Sequence, residues 1–173
     1  MKKCYKHNIV KTKLDKCSWI DTDTRMLHAI MELVTEFVNT DMHKWSLKDF
    51  KKECARIEKE DDKEYAKDNL KRMIHQYKTD QKIISIAKWW KNYDNRIKDI
   101  DRARDSWTSY YKKFIEDKEE FLGFQNARDQ MNKKQKDKEH SLFLKIKDLE
   151  KKLYEEEQSM LKMAVDIRGA MWS

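Results

Sequence analysis

Glu156 stands where an apolar residue belongs. From Leu142 the apolar positions run Leu142, Ile146, Leu149, Leu153, Met160, Met163, Ile167 and then Ala170 or Met171. Their steps alternate between four and three, the pattern of a helix with one packed seam, and Glu156 fills the gap in it. A carboxylate on such a seam must be paired or must reach water. Its chemistry is therefore that of a ligand- or metal-binding acid, half of a structural ion pair, or a side chain that escapes to solvent between Glu155 and Glu157. Arg25, His28 and Glu32, with Thr35 or Glu36 and Asn39, form a polar line on an otherwise apolar segment. The spacing predicts that Glu156 meets Arg25 first, then His28, or else Arg168, and that Arg168 meets Glu32 or Glu36. Breaking such a pair, if buried, costs about 3–5 kcal/mol.

A second group is aromatic. Trp89, Trp90, Tyr93, Trp107, Tyr110 and Tyr111 lie among Lys88, Lys91, Arg96, Arg102 and Arg104. Aromatic faces beside cations stack bases and hold phosphates, and equally they form a core with a charged rim. Adjacent Trp89 and Trp90 point about 100° apart on a helix of 3.6 residues per turn, so one is expected in the core and the other at a pocket or interface. Arg25, His28, Glu32, Trp89, Trp90, Glu156 and Arg168 are the candidate ligand-binding residues. Glu116 and Glu119 form one Glu-x-x-Glu, half of what an all-α magnesium-dependent nucleotide hydrolase needs, and no second half is evident. There is no Glu-x-x-His pair for a di-metal bundle, no glycine-rich phosphate loop and no nucleophile motif. No cofactor or metal is expected.

The elements that must position these residues are helices. The chain of 173 residues has no proline and two glycines, where average usage gives roughly nine and twelve. Without that punctuation, hairpins and strand ends are not written. The expected fold is all-α: a bundle of long antiparallel helices with a long C-terminal helix and no sheet. Asp21-Thr22-Asp23-Thr24 opens a helix over about 24–39, apolar nearly all round and so buried among others. Ser46-Leu47-Lys48-Asp49 resembles a capping box that opens a mostly polar surface helix to about Lys59. A third stretch covers about 62–92, with a break near Thr79-Asp80. Residues 92–105 alternate charges and read as a connection. A helix over about 107–122, capped by Asp105 or Ser106, ends at Gly123, and the seam helix follows.

The composition is 39% hydrophobic and 41% charged, with six Trp, seven Tyr, six Phe and nine Met to fill a lean core. The net charge is +7, but residues 1–17 hold six lysines against Asp15, giving +5 there and +2 for the rest. The expected organisation is a basic arm over 1–18 and one helical-bundle domain over 19–173. The arm attracts polyanions in a salt-sensitive way. Cys4, Cys17 and Cys54 are odd in number and lack metal spacing, which suits free thiols in a reducing cytosol. No apolar run approaches 18 residues and no secretory h-region follows the basic N-terminus, so no membrane partner is expected.

Four segments carry a resemblance. They are Ser18-Trp19-Ile20-Asp21-Thr22-Asp23-Thr24-Arg25-Met26-Leu27-His28-Ala29; Ala87-Lys88-Trp89-Trp90-Lys91-Asn92; Trp107; and Met160-Leu161 with Ile167-Arg168-Gly169-Ala170-Met171-Trp172. In order and rough spacing they resemble a family of small uncharacterised helical proteins of tailed bacteriophages. The family has prolines after the Trp-Trp segment, and this chain has none. The resemblance implies a phage-encoded protein in the cytoplasm of an infected bacterium. It marks Asp21, Asp23, Arg25, Trp89, Trp90, Arg168 and Trp172 by position and carries no catalytic residue. The reading is a non-enzymatic helical binding protein, an accessory or anti-defence factor whose partner is a host protein or a nucleotide-like small molecule, with homo-oligomerisation left open. The alternatives are a metal-dependent nucleotide hydrolase using Glu32, Glu36 and Glu156, and a nucleic-acid- or virion-associated protein using the arm.

The arm is poor in apolar residues and dense in like charge, which repels itself. Deleting residues 1–17 is therefore expected to leave the melting temperature nearly unchanged. A fall of several degrees would show that the arm packs on the body.

Overall fold

Short oxygen side chains open the first three helices of this protein. In the computed structural model, which describes residues 14, 21–42, 44–114 and 127–171, Asp21 caps α1 (Thr22–Thr40) by accepting from the Thr24 N–H and hydroxyl, both at 2.8 Å. Ser46 caps α2 (Leu47–Ile57): its oxygen accepts from the Asp49 N–H at 3.1 Å and its hydroxyl donates to the Asp49 carboxylate. Asp62 opens α3 (Lys63–Lys91) by accepting from the N–H groups of Glu64 and Tyr65, each at 3.0 Å. Each cap satisfies donors that the first helical turn leaves without partners. No strand occurs among the described residues, and the fold is all-α.

Three expected boundaries are corrected. First, α3 runs unbroken through Thr79-Asp80. The Thr79 hydroxyl donates back to the His75 carbonyl at 3.0 Å, and Asp80 accepts from the Gln76 side chain at 2.8 Å. Both polar groups are satisfied on their own helix, so they do not interrupt it. Second, residues 92–105 are not a connection. Only Asn92, at φ −98° and ψ 3°, separates α3 from α4 (Tyr93–Tyr111). The alternating charges of this stretch are i,i+3 pairs, Asp99 with Arg102 at 2.8 Å and Asp101 with Arg104 at 3.5 Å. Such pairs support a helix, and Tyr93, Ile100, Ala103 and Tyr111 form its buried stripe. Ser106 is interior and donates to the Arg102 carbonyl. Third, the C-terminal helix α5 (Lys133–Met171) begins well before Leu142. Asn132 and Gln135 form a reciprocal capping box, each side chain accepting from the other's N–H at 3.0 and 2.8 Å. The proposed cap at Gly123, Glu116, Glu119 and the basic arm lie outside the described residues.

The chain groups into two compact units. One holds α1, α2, α3 and α5 from Ser159; the other is Asn92–Gln158. In the first, α1 and α2 each pack on α3. α1 contributes one buried stripe, Leu27, Met31, Val34 and Val38, while Met26 is exposed. The expectation of burial nearly all round is therefore corrected to a single packed face. Ile83, Ile86, Ala87, Trp89 and Trp90 of α3 and Ala164 and Ile167 of α5 complete this core. α2 runs antiparallel to α3, since Phe50 stacks on Tyr77 (centroids 4.1 Å apart) while the Cys54 thiol meets the Met73 sulfur at 3.9 Å.

In the second unit α4 runs antiparallel to the first part of α5, and the contacts form a ladder. The Tyr93 hydroxyl donates to Glu157 at 2.7 Å, Arg96 to Glu156 at 2.5 Å, Arg104 to Glu150 at 2.8 Å and the Trp107 indole to Glu139 at 3.0 Å. Ile100, Ala103, Ile146 and Leu153 are buried in the same unit. Beyond Trp107, Tyr111 packs with Ala127 and Met131 in a cluster that Tyr110 and Phe114 cover.

Burial, aided by the bond to Glu157, raises the Tyr93 phenol well above its ordinary value of 10.0. Burial, then the Glu139 charge, raises Tyr111 as well, against the opposing charge of Arg128. A folded pKa above the unfolded one contributes stability that is intact below about pH 10 and is lost as pH climbs through the folded value. An alkaline titration followed by phenolate absorbance should therefore lose a step above pH 10 in Tyr93→Phe and in Tyr111→Phe. Loss of a step at or below pH 10 would contradict the ladder.

Candidate functional site

The candidate residues are divided between the two units. His28, Glu32 and Trp90 meet in the first unit. Trp90 donates its indole N–H to Glu32 at 3.0 Å, and its ring meets the His28 imidazole edge-on with centroids 4.7 Å apart. One helical turn separates His28 from Glu32, which lets both reach the same indole. Trp89 lies beside Trp90, centroids 6.2 Å apart, and both are buried. Of the expected alternatives, pocket or interface, burial of both indoles leaves neither opening to a pocket. Arg25, on α1, and Arg168, in the last turn of α5, are exposed.

Glu156 belongs to the second unit, where it pairs with Arg96 of α4. The pair is partly exposed, with 26% of the Glu156 side chain and 35% of the Arg96 side chain open to solvent. The cost of breaking it therefore falls toward that of a surface pair. With Asn92, Asn95, Asp99, Ile100, Leu149, Lys152 and Leu153 it lines a cleft of about 460 Å³.

The deeply buried carboxylate of the seam is Glu139. Its side chain is only 6% exposed and lies 4.0 Å from Arg128, besides accepting from Trp107. The signal was in the periodicity. One step of three back from Leu142 lands on Glu139, and a further step of four lands on Gln135, whose backbone carbonyl accepts from the Tyr110 hydroxyl at 3.3 Å.

A different cleft lies between α2 and α3. It measures about 390 Å³ and is lined by Trp45, Phe50, Tyr77, Met73 and Ile57, with Glu53, Arg56, Asn69, Arg72 and Gln76 around them. The volume falls in the roughly 300–1,000 Å³ of small-molecule sites. Arg56 is held by Glu53 at 2.7 Å and Glu60 at 3.6 Å, and its hydrogen bond keeps the Glu53 carboxyl below the usual range. Arg72 has no carboxylate within 4.0 Å among the described residues, so its charge is the one left for something else. Burial pushes the neighbouring Cys54 thiol up, away from thiolate chemistry. Reading α2 as a polar surface helix hid this cleft, because Trp45 sits in the preceding loop and Phe50 and Tyr77 are on different helices.

Among the described residues no group of three or more His, Cys, Asp or Glu is gathered as a metal set, and no helix is long and apolar enough to cross a membrane. No family model, curated protein or solved structure matches the chain.

Glu139→Ala leaves the half-buried Trp107 N–H without its acceptor. It is expected to cost about 1.5–3 kcal/mol in denaturant unfolding, from one lost bond to a carboxylate. Glu156→Ala should cost about 1 kcal/mol or less. The reverse order would move the buried acid back to Glu156.

Proposed function

We propose that this chain is a phage-encoded, non-enzymatic helical binding protein that acts in the cytoplasm of the infected bacterium as an accessory or anti-defence factor, capturing a small nucleotide-like ligand or a host component. The observation that carries the binding reading is the cleft between α2 and α3, where aromatic side chains and a guanidinium with no ion-pair partner among the described residues line one space. A cleft with an apolar floor and a few polar groups is the usual form of a small-molecule site. The acids that shift are held ionised by cations or caps: Glu53 by Arg56, Glu150 by Arg104 and Asp21 by the Thr24 N–H. That is the state of structural carboxylates, whereas a general acid needs its pKa raised. The phage origin rests on the four sequence segments that resemble the phage family.

Native mass spectrometry of the protein purified from infected-cell lysate tests the reading. The expected result is a protein mass carrying a retained small ligand in the range of a nucleotide. Release of pyrophosphate from nucleotides with Mg²⁺ would overturn it in favour of an enzyme. Binding of DNA with a steep salt dependence, abolished by deleting residues 1–17, would overturn it in favour of the basic arm.

A further inference from the structure

Building on the binding reading, we propose that the α2–α3 cleft is a nucleoside monophosphate site in which the base extends the Phe50–Tyr77 stack and the phosphate is held by Arg72. Phe50 and Tyr77 lie nearly parallel, 19° between planes with centroids 4.1 Å apart. A stacked pair of this kind presents further π-face to a planar heterocycle, and stacking accepts any base. Trp45 lines the same space.

Charge selects the rest of the ligand. Glu53, Arg56 and Arg72 line the cleft, and Glu53 is already engaged by Arg56 at 2.7 Å. One positive charge is left, and it belongs to Arg72. A guanidinium binds a phosphate through two parallel N–H bonds. The cleft therefore asks for a flat aromatic body joined to one phosphate group, not a bare anion and not an aliphatic chain. The amides agree with this. Gln76 spends an amide N–H on Asp80 at 2.8 Å, which leaves its carbonyl oxygen as an acceptor, and Asn69 supplies a donor and an acceptor beside it. Such groups read the polar edge of a heterocycle.

Isothermal titration calorimetry of the full chain with the four common nucleoside 5′-monophosphates, with adenosine and with inorganic phosphate tests the site. The expected result is saturable binding of a monophosphate, adenosine weaker than AMP by about tenfold or more, and no saturable heat from phosphate alone. Arg72 is exposed, so Arg72→Gln should fold normally by circular dichroism. It should lose the phosphate-dependent tenfold while keeping the affinity for adenosine. Equal AMP affinity in the parent and in Arg72→Gln would overturn the proposal, as would phosphate binding as tightly as AMP, or no monophosphate binding by a natively helical chain. The two readings fail separately. If native mass spectrometry finds a retained ligand that Arg72→Gln also retains, the cleft is wrong and the binding function stands. If neither method finds a ligand, both fall.

Discussion

Each compact unit is keyed by an indole N–H that ends on a glutamate of another helix. Trp90 reaches Glu32 and Trp107 reaches Glu139, both at 3.0 Å. A buried indole donor must be satisfied, because the large apolar ring can pack in several ways but its one N–H cannot be left unbonded without cost. The acceptor in each case is a charged carboxylate, which makes the bond stronger and the register unique. Apolar stripes alone would let helices slide by a turn. The Trp–Glu pairs forbid that, and the rest of each unit is arranged around them.

The charge richness of the chain follows from the same economy of core. Buried apolar side chains form narrow stripes, several of them alanines, so neighbouring helices are also held along their edges. On α4 and α5 the edge is a graded ladder: a phenol, two arginines and an indole, each donating to a glutamate of α5. The exposed rungs contribute little individually. Their value is in direction, since all four acids lie on α5 and all four donors on α4, so each rung demands the opposite helix.

The same division of labour separates scaffold from site. Trp89, Trp90 and Trp107, with Arg96 and Arg104, are occupied in holding helices together, although their types would suit a ligand. The α2–α3 cleft is different because Arg72, beside aromatic faces, has no acid partner among the described residues. A guanidinium beside aromatic faces in one cleft directs the functional reading to α2 and α3.

Local chemistry was legible in the sequence alone. The missing prolines, the Asp21 and Ser46 caps, the 3–4 seam and the extents of α1, α2 and α3 follow from one helix at a time, where neighbours in sequence set the energy. The oddness of Glu156 was legible too, and Glu139 was readable from the same seam one step earlier. Sequence reading failed where a local signal was ambiguous and a distant partner decided it. The charged stretch 92–105 looks like a connection until its stripe, Tyr93, Ile100 and Ala103, finds the packed face of α5. For Glu156 the sequence offered Arg25, His28 and Arg168, and the packing of α4 on α5 brings in Arg96, which no spacing singled out. The α2–α3 cleft brings Trp45, Phe50, Arg72 and Tyr77 together from a loop and two helices, and no spacing along the chain encodes that meeting. Capping and periodicity act through the backbone within a few residues; pairing and cavities are made by side chains that only tertiary packing brings face to face.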